Sequence, residues 1–467
     1  MTDSADGGWR RSGWPYALAA VAIVAATLVF QLDVRFDARP AGGADDVAAL
    51  RERDDLNVLF VLIDTLRADR LSAYGYERPT SPQLDALAAD GVRFARNMSQ
   101  SSWTKCSMAS LWTGLYPVRT GVTRSPQAVS DRARMPAEIL RDAGYRTYAI
   151  WRNGWVAPSF GFSQGFDVYH SPRASPIPAS VRREKPTLGM AGTDQDIVNS
   201  AIEFLRTHPE ERWFLYLHLM DVHQYVYDEE TALFGTRYSD IYDNSIRWVD
   251  RVLGSLFQVL DARGLRERTL IVVAADHGEA FGEHGREGHA RDVYGEVTNT
   301  PLILSFPFRL EPGVVVETAT ENVDLWPTLL DLLGLPPLEV TDGESHLAEL
   351  MAAVRGTPAP EEEGVRFAHI DQTWGRNAQP ASPMVAVSEG AYRLVYRADG
   401  RDPELYHQES DPYEQREIGA DQPDVRRRLL ARVEDYLERS PPWDSGGDVE
   451  LEPQQLEELR ALGYVVE

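Results

Sequence analysis

Two apolar runs constrain this chain of 467 residues more than any other feature: Asn57-Val58-Leu59-Phe60-Val61-Leu62-Ile63 and Thr269-Leu270-Ile271-Val272-Val273-Ala274-Ala275. Neither alternates apolar with polar residues, so neither suits a sheet with one wet face. Each suits a strand covered on both faces, as in a parallel sheet sandwiched by helices. Both runs end on chemistry, because Asp64 follows the first and Asp276 and His277 follow the second. Ligands of open parallel sheets collect at the carboxyl ends of the strands, so these residues are expected at one functional edge. An acidic residue at a strand end can also be a cap, and the pair therefore carries more weight than either member.

Helix-like and strand-like segments alternate between the runs. Ser81-Pro82 opens a helix through Ala88, with serine as N-cap and proline as the first helical residue. Ala143 to Ile150 and Trp213 to Leu219 read as further strands. This alternation predicts an α/β fold with helices on both faces of the sheet. With 43% apolar and 10% aromatic residues, the chain has material for one large domain, expected over 56–383, and a smaller C-terminal subdomain over 384–467. In the subdomain, Val385 to Val387 and Tyr392 to Tyr396 predict a hairpin starting near Met384, and Val425 to Leu437 a helix. Leu456, Leu459, Leu462 and Tyr464 predict a tail that packs back on the body. The net charge of -25 argues against nucleic acid as a partner, and against an anionic membrane surface as a partner of the main domain. The single cysteine, Cys106, excludes an internal disulfide framework.

The N-terminus carries a second signal. Trp14 to Phe30 is uncharged, Arg10 and Arg11 precede it, and Asp33 follows. Spanning helices need roughly 17 to 25 apolar residues, so one transmembrane anchor is expected over 14–32. The arginines place residues 1–13 in the cytoplasm and the catalytic domain outside it, periplasmic or extracellular, tethered to the cytoplasmic membrane by a single pass. A cleaved signal peptide is the competing reading, but no Ala-x-Ala site closely follows Phe30. Residues 33–55 turn small and polar and are expected as a linker.

Several blocks then line up: Asp64-Thr65-Leu66-Arg67-Ala68-Asp69, Tyr74-Gly75-Tyr76, Met220-Asp221-Val222-His223, Asp276-His277-Gly278-Glu279, Gly288-His289 and Val323-Asp324-Leu325-Trp326-Pro327-Thr328. Together with Ser102-Trp103-Thr104-Lys105-Cys106-Ser107-Met108-Ala109-Ser110-Leu111-Trp112-Thr113-Gly114 and Asp411-Pro412-Tyr413-Glu414, they resemble the sulfatase family of the alkaline-phosphatase superfamily, from about Asn57 to Glu414. The resemblance implies an alkaline-phosphatase/sulfatase-like mixed sheet flanked by helices, a small C-terminal α+β subdomain and a divalent metal ion. In formylglycine sulfatases the nucleophile position holds Cys or Ser, with Pro two residues later and Arg four later. Ser110 to Gly114 resembles the family's helix after the nucleophile and registers Thr104 on that position, with Cys106 and Met108 where Pro and Arg would stand. Threonine cannot become formylglycine, so none is expected, and Cys106 reads as a small buried side chain.

The resemblance assigns the roles. Asp64, Asp276, His277 and Thr104 form the candidate metal set, whose mixed oxygen and nitrogen donors suit calcium, magnesium, manganese or zinc. A bound cation would lower the pKa of the Thr104 hydroxyl and hold it in line with a sulfur or phosphorus centre. His223 and His289 would hydrogen-bond non-bridging oxygens or the leaving group, and Lys105 would offer positive charge to an anionic substrate. Asn153 resembles a polar contact of the family, loosely matched. His218 reads as a satisfied core or surface residue, as do His170, His208, His284, His346, His369 and His407, and Glu361-Glu362-Glu363 as a solvated loop. The expected partner is an anionic ester: a sulfated or phosphorylated glycan, lipid or small molecule. Three functions follow. The first is a membrane-anchored, metal-dependent hydrolase of sulfate or phosphate esters. The second is a phosphoglycerol or phosphoethanolamine transferase working through phospho-threonine, although such transferases usually carry several transmembrane helices. The third is a degenerate domain that only binds anions.

Overall fold

A computed structural model describes residues 39–172, 192–359, 364–444, 446–450 and Leu459. The expected anchor over 14–32 lies outside these residues, as do Glu361 to Glu363 and Leu456, Leu462 and Tyr464 of the tail. Among the described residues no helix is long and apolar enough to cross a membrane.

The first apolar run forms β1 (Asn57–Ile63), and the others of the main sheet are β2 (Val92–Met98), β3 (Arg146–Trp151), β4 (Val168–His170), β5 (Trp213–Leu219) and β6 (Thr269–Ala274). A short hairpin of β7 (Ala280–Phe281) and β8 (Glu287–Gly288) stands apart, and β9 (Asn299–Thr300), β10 (Leu302–Ser305) and β11 (Val314–Glu321) complete the sheet. Its order is β11-β2-β10-β6-β1-β5-β3-β4, with β9 paired to β2. β1 runs parallel to both β5 and β6, while β10 is antiparallel to β6 and β2, so the sheet is mixed. The register places Ile63 beside Leu219 and Leu62 beside both His218 and Ala274, which brings the residues after β1 and β6 to one edge.

Alternate residues of β1 feed two cores. Val58, Phe60 and Leu62 face one, and Leu59, Val61 and Ile63 face the other. The second face is covered by helices Pro82–Ala89, Asp194–Thr207 and Tyr238–Ala262, through Leu84, Phe204 and Leu253 among others. Across the first face lies helix Thr104–Thr113, buried along its whole length. Its Trp112 stacks on Trp326 at 5.3 Å and meets Phe60 edge-on at 5.9 Å, contacts that anchor the helix to the strand it must face. Gly114 ends it at φ 68°, its N–H donating to the Ser110 carbonyl. A side chain there would meet the left-handed penalty and a Thr341 oxygen 2.6 Å from its Cβ.

Two boundaries differ from expectation. The segment expected as a linker is built into the body from Arg39 onward: Ala44–Ala49 is helical, Val47 and Leu50 are buried in the core, and Arg39 donates to the Phe306 carbonyl. Small residues hid a turn and a half of helix with one apolar side. The C-terminal sheet also starts before Met384. It has four antiparallel strands, β12 (Arg366–Asp371), β13 (Pro383–Glu389), β14 (Tyr392–Arg397) and β15 (Glu404–His407), and helix Pro423–Leu437 packs on it through Leu429, Val433 and Tyr436. β12 was missed because Arg366, His369 and Asp371 break its apolar pattern, although all are buried. Leu459 packs against Gly154, so at this point the tail returns to the body.

Candidate active site

Thr104 is the first residue of its helix, where unpaired backbone N–H groups and the helix dipole favour negative charge. The Ser107 hydroxyl, one turn on, donates to the Asp276 carbonyl at 2.6 Å and ties this helix start to the end of β6. The side chain of Thr104 is fully buried rather than exposed. Its Oγ1 lies 3.2 Å from His277 Nε2, and Asn153 Nδ2 donates to it at 3.3 Å.

Asp64, Asp276 and His277 converge as expected. Each offers one ligand atom within 4.8 Å of the others, and His277 Nε2 lies 3.9 Å from Asp64 Oδ1 and 3.4 Å from Asp276 Oδ2. The remaining oxygens are committed: Asp276 Oδ1 accepts from the N–H groups of Thr65 and His277, at 3.2 and 2.9 Å. Thr65 itself sits at φ 61°, a conformation threonine seldom adopts, and that backbone turn aims its N–H at Asp276. Asp64 Oδ1 and Asp276 Oδ2 are buried and accept no hydrogen bond. Burial raises the carboxyl pKa of Asp64, but the hydrogen bond from His218 and the charges of His223 and His277 outweigh it and hold the group below the usual carboxylate range. Asp276, by contrast, is pushed up to about 7 by burial and by the Asp64 charge beside it. Two orphaned oxygens and one imidazole nitrogen, with one carboxylate struggling to ionise beside another, fit a divalent cation, which would satisfy both oxygens and keep both ionised.

His277 Nδ1 donates to the Gly278 carbonyl at 3.0 Å, which leaves Nε2 as an acceptor. The His289 ring lies 4.7 Å from the His277 ring and 4.8 Å from that of His223, so the three imidazoles form a row. Burial lowers the pKa of all three, that of His289 to about 4. Glu279 orients His289 by accepting from its Nδ1 at 3.1 Å, and burial raises Glu279 to about 7. The turn carrying His223 is anchored by a buried network in which Arg152 donates to Asp221 at 2.6 Å and Asp194 at 2.9 Å.

Lys105 is not directed at this group. Its ammonium is buried, donates to the carbonyls of Ser125 and Gln127 and lies 3.9 Å over the Phe160 ring. Burial drives its pKa well below the usual lysine value. Cys106 is buried in the apolar core, with its thiol pushed up to about 12, as an inert side chain requires. Two residues gain roles that sequence reading gave weakly or not at all. Asn153 Nδ2 bridges Thr104 and Asp64 Oδ2, the latter at 2.6 Å. His218, read as structural, places Nε2 3.2 Å from Asp64 Oδ2 while Tyr216 Oη lies 2.8 Å from its Nδ1. The signal was available: a histidine in a strand covered on both faces needs polar partners, and a tyrosine two residues earlier shares its face.

The sulfatase family model matches residues 56–335, and a second, described as N-sulphoglucosamine sulphohydrolase, C-terminal, matches 282–439. The chain is 23% identical to the N-acetylgalactosamine-6-O-sulfatase of Bacteroides thetaiotaomicron, over 82% of this chain and 93% of that one. It is 24% identical to the ulvan-active sulfatase of Formosa agariphila, over 80% of each. The match to the N-acetylgalactosamine-6-sulfatase of Rattus norvegicus, at 25% identity, covers 60% of this chain and spans 62% of that protein's length. Among solved structures, the phosphonate monoester hydrolase of Agrobacterium radiobacter superposes with a TM-score of 0.65 at 21% identity, over 85% of this chain and all of that one, a likeness of fold.

Proposed function

This chain belongs to the sulfatase family, and we propose that it is a metal-dependent hydrolase of sulfate or phosphate esters in which Thr104 is the nucleophile. The observation that carries the reading is the placement of Thr104 Oγ1, at a helix start and within 3.3 Å of both His277 Nε2 and Asn153 Nδ2, beside the orphaned oxygens of Asp64 and Asp276. Asp64, Asp276 and His277 would hold the cation, which when bound supplies Lewis acidity and lowers the pKa of an adjacent hydroxyl. Asn153 is a donor to Oγ1, which suits an alkoxide, while His277 Nε2, the acceptor 3.2 Å from the same oxygen, is the nitrogen that would hold the cation. The helix N-terminus favours the same negative charge. His223 and His289 are neutral at pH 7 before substrate arrives, and because the one N–H of neutral His289 is held by Glu279 through Nδ1, His289 meets a substrate oxygen as a donor only after Nε2 takes up a proton. An incoming anion raises their proton affinity and readies one to protonate the leaving oxygen. The relatives named for N-acetylgalactosamine 6-O-sulfate and for ulvan support a sulfated glycan as the substrate class. The uncharged stretch Trp14 to Phe30 supports a tether in the cytoplasmic membrane with the domain outside it.

The test is turnover of p-nitrophenyl sulfate and bis(p-nitrophenyl) phosphate by the full chain with calcium, magnesium, manganese or zinc, beside Thr104→Val. Metal- and Thr104-dependent release from either ester is expected. Thr104-dependent turnover of the phosphodiester alone would favour the transferase reading, to be pursued with lipid donors and trapping of phospho-threonine. Activity that survives Thr104→Val would refute the nucleophile.

A further inference from the structure

A second polar cavity lies where the catalytic domain meets the C-terminal sheet, and the mechanism above makes no use of it. It has a volume of about 270 Å³, and its walls include His284, Arg286, Asp292, Arg397, Arg401 and Tyr406. The cavity is tied to the catalytic centre by a short segment. Asp292 follows His289 by three residues, and at 3.8 Å per step their α-carbons are at most roughly 11 Å apart. The Asp292 carbonyl accepts from the Ser102 hydroxyl and the Ala290 N–H donates to the Ser102 carbonyl, so this wall is clamped to the chain two residues before Thr104.

Most polar groups in the cavity are committed. His284 bonds Glu296 through Nδ1 and the Glu414 carbonyl through Nε2, Arg397 bonds Glu404 and Tyr294, and Tyr406 donates to Glu404. Two kinds of capacity remain. Asp292 lines the cavity and is 6% exposed, and its Oδ1, itself fully buried, accepts no hydrogen bond. Arg286 makes one long bond, to the Arg291 carbonyl at 3.3 Å, and Arg401 uses Nε and Nη2 on Asp399, so both guanidinium groups keep N–H donors. A ligand that completes this site must donate to a carboxylate and accept from guanidinium groups at once. A bare anion meets only the second demand and a cation only the first. A sugar that carries an acidic group meets both, and the volume, at the lower end for ligand pockets, suits one such unit.

We propose that this cavity is a subsite for a second, acidic sugar residue of an oligosaccharide substrate, with its hydroxyls donating to Asp292 and its carboxylate or sulfate held by Arg286 and Arg401. The inference deepens the hydrolase reading and rests on it for the chemistry at Thr104. It also gives the C-terminal sheet a task, since Arg397 and Tyr406 come from its strands β14 and β15 and Arg401 from the loop between them.

The experiment is calorimetric titration of the full chain with a chondroitin 6-sulfate tetrasaccharide, its desulfated counterpart and a neutral tetrasaccharide. Arg286→Ala/Arg401→Ala is the test variant, because both side chains are exposed and their removal spares the fold. Binding of an acidic tetrasaccharide but not the neutral one is expected, weakened about tenfold or more in the double variant, since one lost hydrogen bond to a charged group is worth about a tenfold step or more. Loss confined to the sulfated ligand would assign the arginines to sulfate, and loss with both ligands to the uronate carboxylate. Turnover of p-nitrophenyl sulfate, which lacks a second sugar, should be unchanged. No binding of either acidic ligand, or equal binding by the double variant, would overturn the subsite even if p-nitrophenyl esters are turned over. Binding that depends on the arginines in a protein that turns over no ester would keep the subsite and sink the hydrolase reading.

Discussion

Replacing His218 with phenylalanine removes both ring nitrogens, puts a somewhat larger ring in a fully buried site, and separates support of Asp64 from the chemistry at Thr104. His218 touches neither Thr104 nor, by its bonds, any group but Tyr216 and Asp64. With Tyr216 Oη donating to Nδ1, Nε2 carries the proton and donates to Asp64 Oδ2 at 3.2 Å. The variant leaves Asp64 held by Asn153 at 2.6 Å, and leaves the buried Tyr216 hydroxyl without its histidine partner. A lost hydrogen bond to a charged group is worth about 1.5 to 3 kcal/mol and a stranded buried hydroxyl about 1 to 3, so a loss of roughly 2.5 to 6 kcal/mol in stability is expected. Removing a partner that orients a metal ligand typically weakens metal affinity about 10- to 100-fold. Turnover of a p-nitrophenyl ester, titrated with metal in a chelator buffer, should therefore saturate at a metal concentration higher by about that factor. The plateau should lie within a few-fold of the wild type, because Thr104, the proposed nucleophile, is untouched. A metal titration that superposes on the wild type would refute the argument that His218 supports Asp64. A plateau lost at every metal concentration, in a protein that remains folded, would mean that His218 takes part in the reaction itself.

Thr104→Val keeps the shape of the residue and removes one oxygen whose two bonds are long, so stability should change by no more than about 1 to 3 kcal/mol while turnover falls about 10⁴-fold or more. Thr104→Ser should retain measurable turnover, and a serine variant no better than the valine one would count against the hydroxyl as nucleophile. Cys106→Ser should stay active with a loss of about 1 kcal/mol, since the thiol's polar partners, the His369 carbonyl at 3.9 Å and the Ser101 side chain, can also be met by a hydroxyl, and inactivation of the folded variant would reopen Cys106 as the reactive residue. Burial alone would lower the pKa of His284, but its bonds to Glu296 and the Glu414 carbonyl raise it to about 9. A pKa raised on folding gives stability that is complete below the unfolded value of about 6.5 and is lost as pH rises through 9. His284→Gln should thus destabilise the protein at pH 6 in thermal or urea unfolding, with the gap to wild type closing by pH 10, and a gap independent of pH would contradict the charged pair.

The amino-acid sequence by itself determined the strand cores and their cargo. An unbroken run such as Val58 to Ile63 can be solvated on neither face, so it must be covered on both, and the residue at its end, Asp64, must emerge at the sheet edge. The same logic carried Asp276 and His277, and the motif around Ser110 to Gly114 placed Thr104. Roles that depend on where a side chain ends could not be read this way. Lys105 adjoins Thr104 in sequence, yet in a helix consecutive side chains diverge, and its ammonium is drawn into carbonyls and ring faces on the other side. His218 and Asp64 are separated by 154 positions and meet only because β5 lies beside β1 in one register. Asn153 arrives from the end of β3, two strands from β1 across the sheet. Local pattern specifies which face of the backbone is wet and which is dry. Strand order and register, set by the whole core, decide which polar groups share the same few ångströms.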